Sequence, residues 1–321
     1  MLVTGGAGYV GVPLCEELLA SGRRVRVLDV LLHDQSAITD RLRRAGVEMI
    51  RADIRSGEDR RRAVHGVDAI VHLAAIVGDP ACARDPALSQ QVNVEGTGAL
   101  VADARAAGVK RFVFASTCSN YGRMADPTVP ITEEGELAPV SLYAEQKVQI
   151  ERSLLDGTTV DLSVVCLRFA TVYGVAPRMR FDLTVNEFAR DLWADRDLEV
   201  FGEQFWRPYV HVRDAARGVR TVLDTPAEEV SGEVFNVGSS RENYRKLDLI
   251  DEIRRQIPTG RVSYVHRDED PRDYKVSFEK ISQRLGYKIL MTVPEGISQV
   301  IAALEAGDFP EPFDARYRNT P

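Results

Sequence analysis

The sequence predicts an α/β protein with a doubly wound parallel sheet, followed by a smaller mixed α/β domain. The first observation is that short apolar runs alternate with amphipathic stretches; within residues 1–75 the runs read LVTG, VRVLDV, VEMIRAD and AIVHLAA. The second is that these runs lack the apolar–polar alternation of a half-buried strand, so we expect helices on both faces of the sheet. With 321 residues, of which 44% are hydrophobic, the chain can bury such a core.

The remaining elements are predicted by the same patterns. Residues 92–107 and 140–155 predict two longer helices, separated by a strand RFVFAS and followed by a strand LSVVCLRF. After about residue 173 the elements become shorter and more mixed, and helices are predicted near 247–256 and 294–305. We therefore assign residues 1–173 to a first domain and 174–321 to a second, with some exchange of chain between them and a cleft where they pack.

Charge and cysteine usage exclude several classes of protein. The formal net charge of −7 would repel a phosphate backbone, so we expect no nucleic-acid partner. The four cysteines show no C-x-x-C pairing, which argues against a disulfide framework or a structural zinc site, and we expect no metal. No stretch reaches the ~18 consecutive apolar residues of a membrane span. These features predict a cytoplasmic protein without a membrane partner.

A glycine-rich turn follows the first predicted strand. Gly5, Gly8 and Gly11 have the spacing G-x-x-G-x-x-G at the opening of a helix, with Tyr9 and Val10 between the last two glycines. Such a turn lets the backbone approach a pyrophosphate, and the helix N-terminus offers free N–H donors and the positive end of its dipole. The turn therefore predicts a dinucleotide site of the Rossmann type, to which all five residues contribute.

Acidic residues at the ends of the next two strands select the dinucleotide. Asp29 ends the second predicted strand, where its carboxylate is placed to accept hydrogen bonds from the adenosine ribose hydroxyls. The same negative charge would repel a 2′-phosphate, so the sequence favours NAD over NADP. Asp53 and Ile54 end the third strand, where a carboxylate can meet the adenine amino group and an apolar side chain can pack on its ring.

The order of several motifs extends this assignment. TGGAGYVG, Asp29, Asp53–Ile54, VHLAA, NVEGT, ASTCSNYG and YAEQK follow one another along the chain and resemble the extended short-chain dehydrogenase/reductase family. The later LRFATVYG, RPYVHVRDAA and FNVGS are similar to the nucleotide-sugar epimerases and dehydratases of that family. The resemblance covers nearly the whole chain. It implies NAD as cofactor, a nucleotide-diphosphate sugar as substrate, and a homodimer built on the helices at 92–107 and 140–155.

The resemblance also implies further contacts along the cofactor. One group of residues lines it after the fourth strand, an asparagine orders the adjacent backbone, and two residues lie near the nicotinamide. The lining residues are Leu73, Ala74 and Ala75, the asparagine is Asn93, and the two residues near the nicotinamide are Ser116 and Phe169. His72 and His211 fall in apolar strands and are interpreted as packed side chains, not as ligands.

Catalysis is assigned to a tyrosine and a lysine one helical turn apart. On a helix Tyr143 and Lys147 share one face, so we expect the lysine ammonium to lower the pKa of the tyrosine and to bind the nicotinamide ribose. A tyrosinate then takes a hydroxyl proton from the sugar while hydride leaves to the nicotinamide. Thr117 is expected to share the short hydrogen bonds around the reacting oxygen.

The two residues after Thr117 bear on the type of reaction. The family's 4,6-dehydratases carry an Asp–Glu pair there and its glucuronate decarboxylases a glutamate at the second place, whereas this chain has Cys118 and Ser119. Without a carboxylate, elimination of the C6 hydroxyl is disfavoured, and we expect a redox-neutral epimerisation at C4 through a transient 4-keto sugar. Cys118 has two interpretations, a catalytic acid or base and a small buried side chain, of which the second is favoured.

Other functions fit the same residues. A nucleotide-sugar dehydrogenase or 4-keto reductase would use Thr117, Tyr143 and Lys147 in the same way and exchange its cofactor at each turnover. A dehydratase and a non-catalytic dinucleotide sensor are the weaker alternatives. Sensors on this fold typically lose the tyrosine or the lysine, and this chain keeps both.

The resemblance also assigns positions to the nucleotide sugar. They are Val77, Asp79, Cys118, Ser119, Thr171, Asn186, Arg207 and Arg272. Arg207 and Arg272 match the diphosphate-binding arginines of the family, and Asp79 is either a ligand of a sugar hydroxyl or an ordinary loop residue. Thr171 replaces a frequent asparagine, which puts the hydrogen bond of that asparagine in doubt.

Two arginines close to the domain junction have three interpretations. Arg178 and Arg180 hold the nucleotide, contact an acidic sugar such as a uronate, or form ion pairs with Asp182. The last interpretation is favoured, because the three charges lie within five residues of one another.

Overall fold

Strands and helices alternate from the first residues of the chain. The computed structural model describes residues 1–33, 35–124, 126, 128–157, 161–258, 260–266 and 272–319. Its strands are β1 (Leu2–Thr4), β2 (Arg26–Asp29), β3 (Glu48–Arg51), β4 (Ala69–His72), β5 (Arg111–Thr117), β6 (Ser163–Phe169), β7 (Thr171–Tyr173), β8 (Leu198–Phe201), β9 (Trp206–His211), β10 (Glu233–Val237), β11 (Asn243–Arg245) and β12 (Val262–Val265). Its helices are α1 (Gly11–Ala20), α2 (Ser36–Arg44), α3 (Gly57–Val64), α4 (Asp79–Arg84), α5 (Pro86–Ser89), α6 (Gly96–Ala106), α7 (Leu142–Asp156), α8 (Thr184–Trp193), α9 (Val212–Asp224), α10 (Ala227–Val230), α11 (Lys246–Gln256), α12 (Glu279–Leu285) and α13 (Val293–Glu305).

Seven parallel strands form the central sheet, in the order β10-β6-β5-β4-β1-β2-β3. β1 pairs with β2 on one side and with β4 on the other. Its neighbouring residues Leu2 and Val3 are both fully buried, and they belong to different apolar clusters because successive side chains point to opposite faces. Helices therefore cover both faces of the sheet, and the doubly wound α/β fold predicted from the sequence is confirmed.

Helix α1 begins directly at the glycine-rich turn. Pro13 is its third residue, where a backbone N–H has no acceptor within the helix, so the proline costs no hydrogen bond. Val12, Leu14 and Leu18 are fully buried against the sheet, and burial of each such side chain stabilises the fold by about 1.5–3 kcal/mol. This packing fixes the N-terminus of α1 at the edge of the sheet where β1 ends.

Helix α7 carries the predicted tyrosine and lysine. Ser141 caps it, because its Oγ accepts a hydrogen bond from the N–H of Ala144 at 3.4 Å. Val148, Ile150 and Leu154 bury one side of the helix. The predicted helix at 140–155 is thus present with its start two residues later, and it holds Tyr143 and Lys147 one turn apart.

The helix predicted at 92–107 has a wider first part. A π-helical turn covers Gln90–Glu95, and α6 continues from it. Asn93 lies in the π-helical turn, where its Oδ1 accepts from the N–H of Ile76 at 2.8 Å and its Nδ2 donates to the carbonyl of the same residue at 3.0 Å. Periodicity could not predict this widening, because it depends on a side-chain contact with the loop after β4.

The second half of the chain contributes to the first half's sheet. β10 pairs in parallel with β6, with Val237 opposite Phe169, and α9 packs on α1. Two small sheets, β11-β9-β7 and β12-β8, lie outside the central sheet; all their strands except β7 come from the second half. The exchange of chain expected around the boundary at 173/174 therefore includes a complete strand and its helix.

The helices that the sequence assigned to a dimer interface have most of their large apolar residues covered within the chain, while Leu142 and Leu155 of α7 are half-buried. Leu100 and Val101 of α6 and Val148, Ile150 and Leu154 of α7 are all buried. The homodimer stays a prediction. None of the helices in the described ranges combines the length and the apolar character needed to cross a bilayer.

Candidate active site

A cavity of about 490 Å³ opens at the carboxyl ends of the central strands. This is the edge at which parallel α/β sheets bind ligands. The predicted cofactor residues that line it are Gly5, Gly8, Tyr9, Val10, Gly11, Asp29, Asp53, Ile54, Leu73, Ala74, Ala75, Ser116, Tyr143, Lys147 and Phe169. Segments from both halves of the chain form its walls. The fold thus brings together residues spread over most of the sequence.

The glycine-rich turn needs its glycines for close backbone packing. Gly5 has φ +71°, and a Cβ there would lie 2.8 Å from the backbone nitrogen of Ala74. A Cβ at Gly11 would overlap the carbonyl oxygen of Gly5 and lie 2.6 Å from the Cα of Gly6. The turn is thus pressed against the end of β4 and against itself, which leaves the cavity side as bare backbone for a pyrophosphate.

Asp29 ends β2 beside this turn. Its Oδ2 accepts from the N–H of Ala7 at 3.0 Å, and its Oδ1 accepts from the N–H of Leu31 at 2.9 Å. Burial raises the pKa of Asp29, while the two backbone donors act in the opposite direction. Each carboxylate oxygen keeps a further lone pair, so the residue is held in position and can still accept from ribose hydroxyls. Leu31 adopts φ +56°, a conformation that brings its N–H onto the carboxylate.

The residues after β3 meet the expectation only in part. Ile54 is buried and lines the cavity. Asp53 lines it too, but Arg55 binds its carboxylate through two guanidinium nitrogens and lowers its pKa. Asn93 does not line the cavity. It fixes the backbone of Ile76, which does.

Tyr143, Lys147 and Thr117 meet at the other end of the cavity. The ammonium of Lys147 donates to the carbonyl of Ala115 at 2.7 Å and lies 5.8 Å from the centroid of the Tyr143 ring. The Oγ1 of Thr117 accepts from the N–H of Ser119 at 3.1 Å, so its hydroxyl proton is free to face the cavity. A tyrosine, a lysine and a threonine thus line one wall.

The ionisation of this end is governed by burial. Burial raises the pKa of Tyr143 above its usual range, and the cation that opposes the rise is Arg180, whereas the sequence had assigned this effect to Lys147. Burial also lowers the pKa of Lys147 to about 8. The ammonium is withdrawn from water beside the Phe114 ring, whose centroid is 4.5 Å away, and this loss of hydration disfavours the charged form.

The residues after Thr117 point in different directions. Cys118 is buried, and its Sγ lies 3.3 Å from the carbonyl oxygen of Arg168 in the core. Burial raises the pKa of this thiol well above its usual range. Ser119 lines the cavity, and its hydroxyl lies 3.4 Å from that of Tyr274. The structure therefore places Cys118 outside the cavity wall, in the buried position that the sequence favoured.

Of the other positions assigned to the nucleotide sugar, Val77 and Thr171 line the cavity. Asp79 and Arg272 form an ion pair at 2.7 Å, and Asp79 also accepts from the Ser141 hydroxyl at 2.6 Å. This places both charged residues at the side of the cavity, where they join the loop after β4 to the second half of the chain.

Asn186 and Arg207 lie behind the wall. Asn186 is fully buried; it accepts from the N–H of Gly174 at 2.8 Å and donates to the Tyr9 hydroxyl at 3.1 Å. Arg207 is buried with its guanidinium 5.3 Å from the Tyr274 ring centroid. Asn186 therefore links the second half of the chain to the glycine-rich turn. Arg207 packs against Tyr274, which lines the cavity.

The histidines are packed as the sequence indicated. His72 lies 2.6 Å from the hydroxyl of Thr4 and 2.8 Å from that of Thr97, and burial lowers its pKa to about 3. His211 lies 2.8 Å from the side-chain oxygen of Gln299. No group of three or more metal-ligating side chains occurs in the part of the chain that the structure describes.

The cavity also includes residues that the sequence did not indicate. They are Leu28, Val30, Leu32, His33, Gln35, Ala52, Arg55, Ile76, Leu88, Val92, Ala115, Ala170, Val172, Leu183, Tyr274 and Asn319. Those at 30–35 follow Asp29 directly, which was an available signal. Tyr274 and Asn319 come from distant segments that only the tertiary fold brings to the cavity.

The likeness to known proteins agrees with this geometry. The family model described as "NAD dependent epimerase/dehydratase family" matches residues 1–238. The chain belongs to this family. As a member of it, the chain takes NAD as its cofactor, and the fit of the bare glycine turn and of Asp29 to a dinucleotide is consistent with that. The suspected family is thereby confirmed.

Individual members of the NAD dependent epimerase/dehydratase family resemble the chain along its length. A UDP-glucose 4-epimerase of Rhizobium meliloti is 30% identical over 313 residues, which cover 90% of this chain and 92% of the relative. The UDP-glucose 4-epimerase of Thermus thermophilus, solved in complex with NAD, is 27% identical with a TM-score of 0.83, covering 95% of this chain and 99% of that one. The dTDP-glucose 4,6-dehydratase of Streptomyces venezuelae is 28% identical with a TM-score of 0.84, covering 98% and 99%.

Proposed function

We propose that this chain is an NAD-dependent nucleotide-sugar epimerase that inverts C4 through a transient 4-keto sugar. Two of the similar proteins above are named UDP-glucose 4-epimerases and one is named a dTDP-glucose 4,6-dehydratase. A nucleotide sugar is therefore the substrate class that these relatives support. The choice among reactions rests on the residues at the catalytic end of the cavity.

The observation that carries the proposal is that none of the described carboxylates that line the cavity lies at its catalytic end. Thr117, Ser119, Tyr143 and Lys147 line that end, and the acidic residues among the described lining lie at the ends of β2 and β3. Elimination of water from a sugar needs an acid and a base beside the leaving hydroxyl. Inversion at C4 needs only proton exchange at the C4 oxygen and hydride exchange at the C4 carbon. The lining supports the second reaction.

Tyr143 is the residue proposed to exchange the proton. NAD supplies, when bound, the acceptor that takes hydride from C4 and later returns it. In the first half-reaction the proton of the C4 hydroxyl moves to the Tyr143 oxygen, and the positive charge of Arg180 favours the ionised tyrosine that accepts it. Lys147, whose ammonium lies 5.8 Å from the Tyr143 ring centroid, is proposed to bind the nicotinamide ribose. The hydroxyl of Thr117 donates to the same sugar oxygen. In the second half-reaction Tyr143 returns the proton, after the 4-keto sugar has turned its other face, so no net oxidation occurs.

The remaining sugar-site residues are proposed in two groups. Val77, Ser119 and Thr171 line the wall against which the sugar would lie. Arg207 and Arg272 are proposed to serve the substrate diphosphate. Since Arg272 is held by Asp79 at 2.7 Å, it must exchange that carboxylate for phosphate oxygens when substrate binds.

Two measurements test the proposal. Freshly purified protein is denatured and the released small molecules are identified by mass spectrometry, and the native protein is assayed for interconversion of UDP-glucose, dTDP-glucose and their C4 epimers without added cofactor. We expect stoichiometric NAD and conversion between the epimers. Tyr143→Phe should lower turnover by about 10²–10⁴-fold while the NAD content stays unchanged.

Other results would point to other functions. An empty cofactor site together with stoichiometric consumption of NADH or production of a keto product would replace the epimerase with a reductase or dehydrogenase. Loss of water from the nucleotide sugar would indicate a dehydratase. Tight NAD binding without turnover of any nucleotide sugar would indicate a sensor.

A further inference from the structure

Away from the catalytic end, one cation in the wall of the cofactor cavity forms no ion pair with an acidic residue among those that the structure describes. The described lining contains four cations, Arg55, Lys147, Arg178 and Arg180. Arg55 binds Asp53. Lys147 belongs to the catalytic end. The other two come from the loop between β7 and α8, in the second half of the chain.

Arg178 and Arg180 share a single carboxylate. Asp182 accepts from both the Nε and the Nη2 of Arg180, at 2.9 and 2.8 Å, and so is occupied. Arg178 is only 5% exposed and forms no ion pair with any carboxylate of the described residues; its Nη2 donates to the carbonyl of Arg318 at 3.1 Å. A buried guanidinium whose direct hydrogen-bond partner is neutral is costly, and the charges of Asp29 and Asp182 offset that cost only in part. This wall therefore holds a cation with no carboxylate in direct contact among the described residues.

The position of the loop matches the middle of a dinucleotide. The Tyr9 hydroxyl donates to the carbonyl of Gly174 at 2.6 Å, and Asn186 bridges that hydroxyl to the carbonyl of Arg180 at 2.9 Å. The loop is thereby fastened above the glycine-rich turn. The positive charge of Arg178 acts to lower the pKa of Asp29, and that of Arg180 acts to lower the pKa of Tyr143. These residues mark the two ribose ends of the cofactor, so the diphosphate must pass between them.

We infer that Arg178 binds the diphosphate of NAD from the side opposite the glycine-rich turn, and that the C-terminal segment positions it. The turn offers N–H donors but no side-chain cation, whereas a guanidinium offers paired donors that suit phosphate oxygens. The diphosphate thus receives backbone donors from one half of the chain and a full positive charge from the other. This assigns a cofactor contact to the segment 174–182.

The C-terminal segment is tied to this loop at three points. The Phe181 N–H donates to the carbonyl of Tyr317 at 2.8 Å, and the Asn319 N–H donates to the carboxylate of Asp182 at 3.0 Å. The backbone carbonyl of Arg318 accepts from the guanidinium of Arg178. The Phe181 ring also packs edge-on against the Tyr317 ring, with centroids 5.6 Å apart. Asn319 itself lines the cavity. These contacts hold Arg178 in place before the cofactor arrives.

The test rests on the comparison of adenosine with ADP, which differ only in the diphosphate; the other ligands locate the site of any loss. Adenosine, ADP, NAD, NADP and UDP are titrated calorimetrically into the full-length protein after bound nucleotide has been dialysed out, for wild type, Arg178→Met and Arg178→Lys. We expect Arg178→Met to weaken ADP and NAD binding at least tenfold and adenosine binding less than twofold, with partial recovery in Arg178→Lys. Arg261→Met, which removes one exposed charge, is the matched control and should change nothing.

A second arm tests the C-terminal segment. A chain that ends at Tyr317 lacks the Arg318 carbonyl, and a chain that ends at Asn319 keeps it. We expect the first to bind ADP several-fold more weakly than the second, and Arg178→Met to add little in the shorter chain, because the two changes act on one contact.

Several outcomes would overturn the inference. Equal losses for adenosine and ADP would mean that Arg178 only supports the fold. A loss confined to NADP would place the arginine at the 2′-phosphate, and a loss confined to UDP would assign it to the substrate. None of these outcomes depends on catalytic activity, so the inference is tested separately from the proposed epimerase.

Discussion

Cys118 and Ser119 are neighbours in the chain whose side chains have opposite surroundings. The thiol of Cys118 lies in the core against the carbonyl of Arg168, whereas the hydroxyl of Ser119 faces the cavity beside Tyr274. Both residues belong to the 3₁₀ turn at Cys118–Tyr121, which follows β5 immediately. Only the second of the two positions is therefore placed to contact a substrate.

Substitution of Cys118 should have little effect on catalysis. A serine hydroxyl can donate to the same carbonyl of Arg168, so we expect the turnover of Cys118→Ser to remain within about threefold of wild type, less than the effect of one lost hydrogen bond. Steady-state kinetics and circular dichroism of the variant check this. Near-complete loss of turnover in a normally folded variant would show that the thiol takes part in the chemistry.

Two glycine-to-alanine substitutions should have opposite effects on the stability of the protein. Gly11→Ala places a Cβ against the backbone of Gly5 and Gly6, which cannot move aside, so we expect loss of NAD binding and lower stability. Gly98→Ala lies on α6 with open space around the added methyl, and it should stabilise the protein by about 0.5–1 kcal/mol. Thermal unfolding and the NAD content of both proteins decide the matter, and unchanged NAD content in Gly11→Ala would contradict the assigned role of the turn.

Asp29 should control both affinity and the choice of cofactor. Asp29→Ala removes the acceptor for Ala7 N–H and Leu31 N–H and for the ribose, so we expect NAD binding to weaken about tenfold to a hundredfold. Discrimination against NADP should fall at the same time, because the charge that repels a 2′-phosphate is gone. Asp40→Ala, at an exposed position, is the control. An unchanged ratio of NAD to NADP affinity in Asp29→Ala would contradict this role.

The pH dependence of turnover should follow Lys147. Burial lowers its pKa to about 8, so the ammonium is present below that pH and is lost as the pH rises through it. We therefore expect kcat to decline above about pH 8, measured from pH 6 to 10 in buffers of constant ionic strength. In Lys147→Arg the guanidinium keeps its charge, and the decline should disappear at a lower overall rate. A wild-type kcat that stays constant to pH 10 would rule out this lysine as the titrating group.

The homodimer expected from the sequence is testable by sedimentation. The exposed faces of α6 and α7 lack large apolar side chains, since Leu100, Val101 and Leu154 are covered within the chain. A dimer built on these helices would therefore rest on small and polar contacts, and we expect it to dissociate in the micromolar range. Particles of only 35.6 kDa at all concentrations would show that the chain remains a monomer.

Much of the fold could be predicted from the sequence because it depends on local patterns. Parallel strands appear as unbroken apolar runs, and the glycine spacing at 5, 8 and 11 fixes where the first strand gives way to a helix. The cofactor residues followed because they lie at strand ends. The widened turn at Asn93 and the return of β10 to the sheet could not be read, since each depends on contacts between residues distant in sequence.

The substrate side was harder to predict for the same reason. Asn186 and Arg207 were assigned to substrate, which stays a prediction; the hydrogen bonds of Asn186 and the ring contact of Arg207 lie behind the cavity wall. Tyr274 and Asn319 line the cavity without any local signal. A chemical motif can be recognised where neighbours in sequence act together, whereas Asn186, for example, bonds to Tyr9, which is 177 positions away.

The return of β10 to the central sheet limits how the protein can be divided. A fragment ending at residue 173 would expose the whole edge of β6, five residues of which pair with β10 in the intact chain. Such a fragment would be prone to aggregate through that edge. A chimera of two relatives made with a single crossover near residue 173 would combine the first six strands of the central sheet from one parent with β10 from the other. Such chimeras must accordingly exchange β10 together with the first half of the chain.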